Sequence, residues 1–252
     1  MTEEVLYEVR GQIAVITINR PESRNAVNLA VRVGLREAFE RFDEDPAVRV
    51  AILTGAGDKA FCSGMDLKEA NSGGALEKPQ LPNLGDNMKV SKPIIAAVNG
   101  YAFAGGWLLA QMCDLCVASE TATFAITESK VGRGVWFAAP LVHMLGSRIA
   151  MELILTGKPI DAKRAYEIGF VNRVVPQAEV MQSAQALANE IIECAPMSVA
   201  GARELVAHAM NMGVTAATEV AKQIFKPVYA SDDAQEGPRA FREKRKPRWT
   251  GR

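Results

Sequence analysis

In NGYAFAGGWLLAQMCD (residues 99–114) two adjacent glycines, Gly105 and Gly106, stand directly before a solid apolar run. The run predicts a core helix, and a helix start leaves about four backbone N–H groups without partners at the positive end of the dipole. Glycine lets another group approach that backbone closely. A strand, a glycine turn and an apolar helix therefore make a preorganised electrophilic spot, suited to a phosphate or a developing oxyanion. A strand–helix crossing tight enough to need glycine is the competing reading, and this stretch alone leaves both open. KAFCSGMDLKE (residues 59–69) repeats the design, with a strand end, a Ser63–Gly64 turn and a polar helix start at Asp66. Two such turns brought together aim one N–H each at a shared oxygen, which is how an oxyanion hole is built.

Other reactive side chains are sparse. Of the four cysteines, Cys113 and Cys116 form a CxxC, but no second ligand pair follows at zinc-finger spacing and Cys113 continues an apolar run. Buried thiols are the expectation there, and no metal site. His143 and His208 fall far apart in helical patterns and read as structural. The basic run FREKRKPRWTGR reads as a solvated tail, not a nucleic-acid surface, because it is short and the chain has a formal net charge of zero.

Several elements must position these turns. QIAVITIN (residues 12–19) alternates and is rich in β-branched residues, a strand; VAILTGAG, PIIAAVNG and DLCVAS read as further short strands. Residues 29–43 place Leu35, Ala38, Phe39 and Phe42 at helical spacing. Strands thus alternate with helices, an α/β layered core. Residues 71–87, rich in glycine, proline and amides, read as a candidate mobile loop beside a site. After Pro140 the chain reads as helical: LVHMLGSRIAMELILTG as one helix, DAKRAYEIG as a short one ending at Gly169, then QAEVMQSAQALANEIIE and SVAGARELVAHAMN.

The bulk numbers agree with a soluble globular chain: 48% hydrophobic and 23% charged residues over 252 positions. Zero net charge gives no global pull towards nucleic acid or a membrane surface. Glu3 and Glu4 stand where a signal peptide would be basic, so the start reads as mature protein. The longest apolar stretch is broken by Asn99, Gln111 and Asp114, too soon for a membrane span. Cysteine usage suits a reducing cytoplasm.

The segments FCSGMDLKE, PIIAAVNGYAFAGG, ELILTGKPIDAKRAYEIGFVNRVVP and DDAQEGPRAFREKRKPRW, in this order, resemble the crotonase superfamily, the enoyl-CoA hydratase/isomerase family. The resemblance runs from about residue 5 to 250. It implies a crotonase-like spiral of ββα repeats in residues 1–195, carrying an acyl-CoA site. A helical C-terminal region, 196–252, would help assemble a homotrimer or a dimer of trimers. The substrate would be an acyl-CoA thioester, with no cofactor beyond the CoA it carries. Its carbonyl would accept from the N–H groups of Met65 and Gly105. Ser63, Asp66, Leu67 and Lys68 resemble the segment lining the CoA moiety, Ser23 and Arg24 another part of that surface, and Lys244 a group approaching a CoA phosphate.

Hydratases of the family carry two glutamates that hold one water. The first position, three residues after the matched Gly105, is Leu108 here; the second is Glu128, in FAITESKVG. A surface carboxylate is the ordinary reading of a glutamate, but the resemblance makes Glu128 the acid/base. One carboxylate in a pocket lined by Leu108, with Trp107 or Trp136, should have a raised pKa. That chemistry favours a double-bond shift over hydration. VGRGVWFAAPL replaces the usual glycine-rich stretch, and Trp136 and Phe137 should reshape the acyl end. A hydratase or dehydratase with a recruited second polar group, and a non-catalytic acyl-CoA-binding subunit, remain the alternatives.

Overall fold

The computed structural model describes residues 3–70 and 80–252. Its first half runs β1 (Val5–Arg10), β2 (Ile13–Ile18), α1 (Leu29–Glu44), β3 (Val50–Gly55), β4 (Ala60–Cys62), α2 (Leu67–Ala70), β5 (Ile94–Val98), β6 (Tyr101–Phe103) and α3 (Gly105–Gln111). There follow β7 (Leu115–Ser119), β8 (Thr123–Ala125), α4 (Leu141–Leu145), α5 (Ser147–Thr156), β9 (Ile160–Asp161), α6 (Ala162–Glu167) and β10 (Arg173–Val175). Four helices end the chain: α7 (Val180–Ile192), α8 (Pro196–Ala209), α9 (Val214–Ala230) and α10 (Asp232–Arg242).

The strands build two sheets. One has six strands in the order β1–β2–β3–β5–β7–β10, parallel except for β1. The other is β4–β6–β8–β9, parallel except for β9. Strands covered on both faces read as continuous apolar runs, and VAILTG and IIAAV are buried throughout. Alternate residues nevertheless serve different layers. Ile16, Leu53 and Ala96 join Leu35, Phe39 and Phe42 of α1. Val15, Ile52, Ile95 and Val117 instead join Ala184 and Leu187 of α7.

Three strands of the large sheet hand over within a few residues to strands of the small one: β3 to β4, β5 to β6 and β7 to β8. After β4 and β6 comes a helix, and after β8 a 3₁₀ turn, Glu128–Val131. This is the repeated ββα spiral expected from the sequence. The strand ends of β4, β6 and β8 therefore emerge side by side along one edge.

The expected strand, glycine turn and helix are β6, Gly105 and α3, with β6 an additional short strand after Gly100. Two local expectations differ. The helix expected over LVHMLGSRIAMELILTG is broken in two at Gly146, whose φ of 77° and ψ of 156° stop α4 before α5 begins. The basic end is not a free tail. The N–H groups of Thr250 and Gly251 donate to Asp233, that of Arg248 donates to Glu236, and the Trp249 indole donates to Glu193 O. Hydrogen bonds from Arg245 and the Arg248 N–H hold the Glu236 carboxyl down at about 2. Arg203 of α8 ties the helical region to the sheets through Asp114, at 2.6 Å, and Asp114 also accepts from Ile94 N–H at the start of β5.

Among the described residues no helix is long and apolar enough to cross a membrane. Cys113 and Cys116 are buried. Burial raises the Cys116 thiol to about 12 and pushes Cys113 well above its ordinary value.

Candidate active site

The three segments singled out by residue chemistry follow β4, β6 and β8. Adjacent strands lie about 4.8 Å apart, so the turns after them fall within roughly 10 Å of one another. Ser63–Gly64–Met65 leaves β4, Ala104–Gly105 leaves β6, and Ile126–Thr127–Glu128 leaves β8. The last two are joined directly, because Ala104 N–H donates to Ala125 O at 2.9 Å.

Backbone geometry decides where the amides face. Val27 and Met65 form an isolated parallel bridge, in which Val27 N–H donates to Gly64 O (2.8 Å) and Asp66 N–H to Val27 O (2.9 Å). Successive peptide groups of an extended chain point to opposite sides. Met65 N–H therefore turns away from Val27, towards the β6 side of β4. Gly105 opens α3, so its N–H has no intrahelical partner. The two turns touch: a Cβ on Gly105 would lie 3.6 Å from Gly64 Cα, and a Cβ on Gly64 3.6 Å from Gly105 N.

The adjacent glycines have different duties. A Cβ on Gly106 would lie 2.0 Å from the Cys62 carbonyl oxygen, so this residue is the tight helix–strand crossing. Gly105 faces Gly64 and the side chain of Leu81, with space for other atoms. The tight-crossing reading of the pair holds for Gly106. Between the strand and Gly105 sits Ala104, with φ 52° and ψ −114°. A residue with a Cβ is strained in that region by about 1–3 kcal/mol, and the strain lies in the turn that presents Gly105.

Glu128 begins the 3₁₀ turn after β8 and is half-buried. Its Oε2 is sealed from solvent and, among the described residues, has no hydrogen-bond partner. Burial raises its pKa above the ordinary glutamate value, and the backbone N–H groups of Glu128 and Thr127 only partly oppose this. Leu108, one turn into α3, is buried. Trp107 does not line the site as expected: it is fully buried, stacked on Phe170 at 4.3 Å and edge-on to Phe124. An apolar ring of that size is more stable inside the core than at a pocket wall. Trp136 is 60% exposed.

The residues expected at the CoA end also converge. Ser63 N–H donates to Arg24 O at 3.1 Å, which binds the Ser23–Arg24 loop to the turn after β4. Asp66 accepts from Arg20 Nη1 at 3.1 Å and from Lys68 N–H at 3.1 Å, so its carboxylate starts α2 and anchors the 20–26 loop. Lys68 is exposed beside it. Leu67 belongs to α2 by its backbone, and its side chain lies outside the described residues. A groove of about 660 Å³ runs along this face, lined by Asn28, Leu29, Val33, Asp66, Lys68 and Glu69. Lys244 is not brought to the group: it is exposed beyond α10, and among the described residues no hydrogen bond or ion pair links it to the others. Of the expected loop, residues 71–79 lie outside the described residues. Residues 80–87 fold around Asn87, which donates to Leu81 O, and place Leu81 over Gly105.

Sequence reasoning missed three residues that hold the site. Asn25, fully buried, donates to Ala56 O and Ala60 O and accepts from Arg20 N–H, pinning the 20–26 loop to the start of β4. Ala104 gave no signal at all. Gln111 had one, as a lone amide in an apolar helix.

Known proteins match the chain over nearly all of its length. A family model described as enoyl-CoA hydratase/isomerase matches residues 8–252. The chain belongs to the enoyl-CoA hydratase/isomerase family. Among curated family members, it is 39% identical to the carnitinyl-CoA dehydratase of Salmonella typhi, with all of both chains covered. Among solved structures, the enoyl-CoA hydratase of Mycobacterium tuberculosis H37Rv superposes with a TM-score of 0.90 at 39% identity, covering 99% of each chain. An enoyl-CoA hydratase from Bacillus anthracis gives 0.91 at 31% identity, covering 99% of this chain and 100% of that one. Membership carries the crotonase fold and an acyl-CoA thioester as the substrate class.

Proposed function

We propose that the chain is an enoyl-CoA isomerase that forms a thioester enolate, with Met65 and Gly105 N–H groups as oxyanion donors and Glu128 as its single acid/base. The observation that carries this reading is the sealed Oε2 of Glu128, unpartnered among the described residues, three residues beyond the β8 end whose Ala125 O accepts from Ala104 N–H. A carboxylate oxygen without a partner is costly to bury, and a proton-transfer role accounts for one being there. Glu128 takes the proton from C2 of a 3-enoyl-CoA, and the electron pair moves through C1 onto the thioester oxygen. The two amides stabilise that oxygen, each by roughly 3 kcal/mol of barrier. The same carboxyl then returns the proton at C4, leaving the double bond at C2–C3. No water enters, which fits an apolar Leu108 where a second carboxylate would hold one.

A second reading has its own support. Relatives carry the names carnitinyl-CoA dehydratase and enoyl-CoA hydratase, and a water held by a polar group other than residue 108 would give that chemistry. Turnover in oxygen-18 water separates the two. The isomerase reading expects product with no added label beyond background; label at C3 of a hydroxyacyl product would replace it with hydration. Loading of CoA along Ser23, Arg24, Ser63, Asp66, Leu67 and Lys68 is part of the proposal. So is trimeric assembly through residues 196–252, where Val206, Val214, Tyr229 and Phe241 are exposed.

The pH profile has a definite sign. Glu128 must start as the carboxylate, and its pKa is raised. Accordingly kcat/KM should fall as pH drops through a midpoint above the ordinary glutamate range. By linkage, a raised folded-state pKa contributes stability that is full below the unfolded value and is lost as pH rises through the folded one. Thermal melts of wild type should therefore decline relative to Glu128→Gln across that window. A kinetic midpoint at or below that of free glutamate contradicts the assignment.

A further inference from the structure

Gln111 is the last residue of α3, 8% exposed, in a helix whose other residues are apolar. Its Oε1 accepts from the Trp107 indole N–H at 3.0 Å, and its Nε2 donates to Phe137 O at 2.7 Å. An indole N–H only donates and a carbonyl oxygen only accepts, so the orientation of the amide is fixed by its neighbours. A primary amide joins such a pair; leucine or methionine cannot, and a carboxylate can satisfy only the indole. Trp107 is itself immobilised by Phe170 and Phe124. The chain Trp107–Gln111–Phe137 thus anchors the 3₁₀ turn Trp136–Ala138 to the end of α3 opposite Gly105.

Two further observations give that anchor a consequence. The turn lies in the same connection as Glu128, whose carbonyl is tied to Arg133 N–H at 2.9 Å. Helix α3 rises 1.5 Å per residue, so Gln111 lies about 9 Å beyond Gly105, with buried Leu108 between them. An acyl group that starts at the Gly105 amide and follows α3 inwards past Leu108 would reach the Phe137 turn after about 9 Å.

We propose that Gln111 is a positioning residue that holds the Trp136–Ala138 turn in place and so limits the length of the acyl group the protein accepts. This inference rests on the acyl group starting at Gly105, but not on which reaction follows. Its test is therefore binding: titration calorimetry with saturated acyl-CoA thioesters of increasing chain length, on wild type and Gln111→Met. Wild type should show a sharp loss of affinity beyond a limiting length. Gln111→Met should relax that limit, shifting the long-to-short affinity ratio by about tenfold, with short-chain binding unchanged. Hydrogen exchange should rise in peptides spanning the Trp136–Ala138 turn and not in those of β6 and β8.

Gln111→Glu, which keeps the acceptor for Trp107 but not the donor for Phe137, should behave like Gln111→Met. If Gln111→Met does not fold, Trp107→Phe removes the indole donor together with part of the ring stacked on Phe170, and should shift the ratio in the same direction. An unchanged ratio in a folded variant overturns the proposal, as does an equal loss at every length or a wild type that binds no acyl-CoA. Turnover of Glu128→Gln is read separately. Retained turnover there sinks the isomerase assignment and leaves the Gln111 result standing.

Discussion

Glu128→Gln should lower kcat for enoyl-CoA isomerisation by about 10³-fold, while binding of a saturated acyl-CoA changes by less than about twofold. Glutamine keeps the length and planarity of the side chain but cannot accept and return a proton. The split between kcat and binding is what identifies the role. Oε2 is sealed and, among the described residues, unpartnered, and the amide oxygen of glutamine can still accept from the Thr127 and Glu128 N–H groups of the turn. If Glu128 were structural, the substitution would lower the melting temperature and leave turnover per folded molecule intact. Single-turnover kinetics with circular dichroism of the same sample distinguish the two outcomes. Full turnover in Glu128→Gln would end the single acid/base reading.

The neighbouring glycines should respond in opposite ways to the same substitution. Gly106→Ala places a methyl group 2.0 Å from Cys62 O, a backbone atom at the end of a hydrogen-bonded strand. Neither side has a flexible end to move, so the cost is at least about 3 kcal/mol. For a chain of this size that lowers Tm by roughly 6–12 °C. Gly105→Ala meets Leu81 Cδ2 at 3.4 Å and the Gly64 backbone at 3.6 and 3.8 Å, all ordinary van der Waals contacts, and Gly105 has no positive φ. Its Tm should hold. Its kcat/KM should fall by about 10²-fold, because the methyl group stands where the thioester oxygen must approach. Melts and kinetics on both variants check this. A stable Gly106→Ala, or a fully active Gly105→Ala, contradicts the division of duties.

Much of this site was legible before any coordinates, and for a physical reason. Backbone amides at a helix start need glycine and a strand end beside them, and both leave marks in the chain. Gly64 and Gly105 were found that way, while Glu128 and the CoA-facing residues came from family resemblance. What stayed hidden depended on tertiary neighbours. No local pattern says that Trp107 stacks on Phe170 and not in a pocket, since apolar bulk suits both. The basic tail gave no sign of its clasp, because Asp233 and Glu236 satisfy its N–H groups from a helix that charge counting treats as exposed. Gly146 lies inside a stretch whose apolar pattern reads as helix throughout; its φ shows that it ends the first of two helices. Lys244 was carried over by analogy, and the contacts within one chain do not bring it near the site.

The three turns leave neighbouring parallel strands of one sheet, and in the proposed mechanism two of them present main-chain atoms. A point substitution elsewhere in the pocket leaves the spacing of those strands unchanged. Evolution can therefore exchange a side chain such as residue 108 and change the chemistry without rebuilding the frame. Such a scaffold is robust where it carries no side chain and free to diversify where it does.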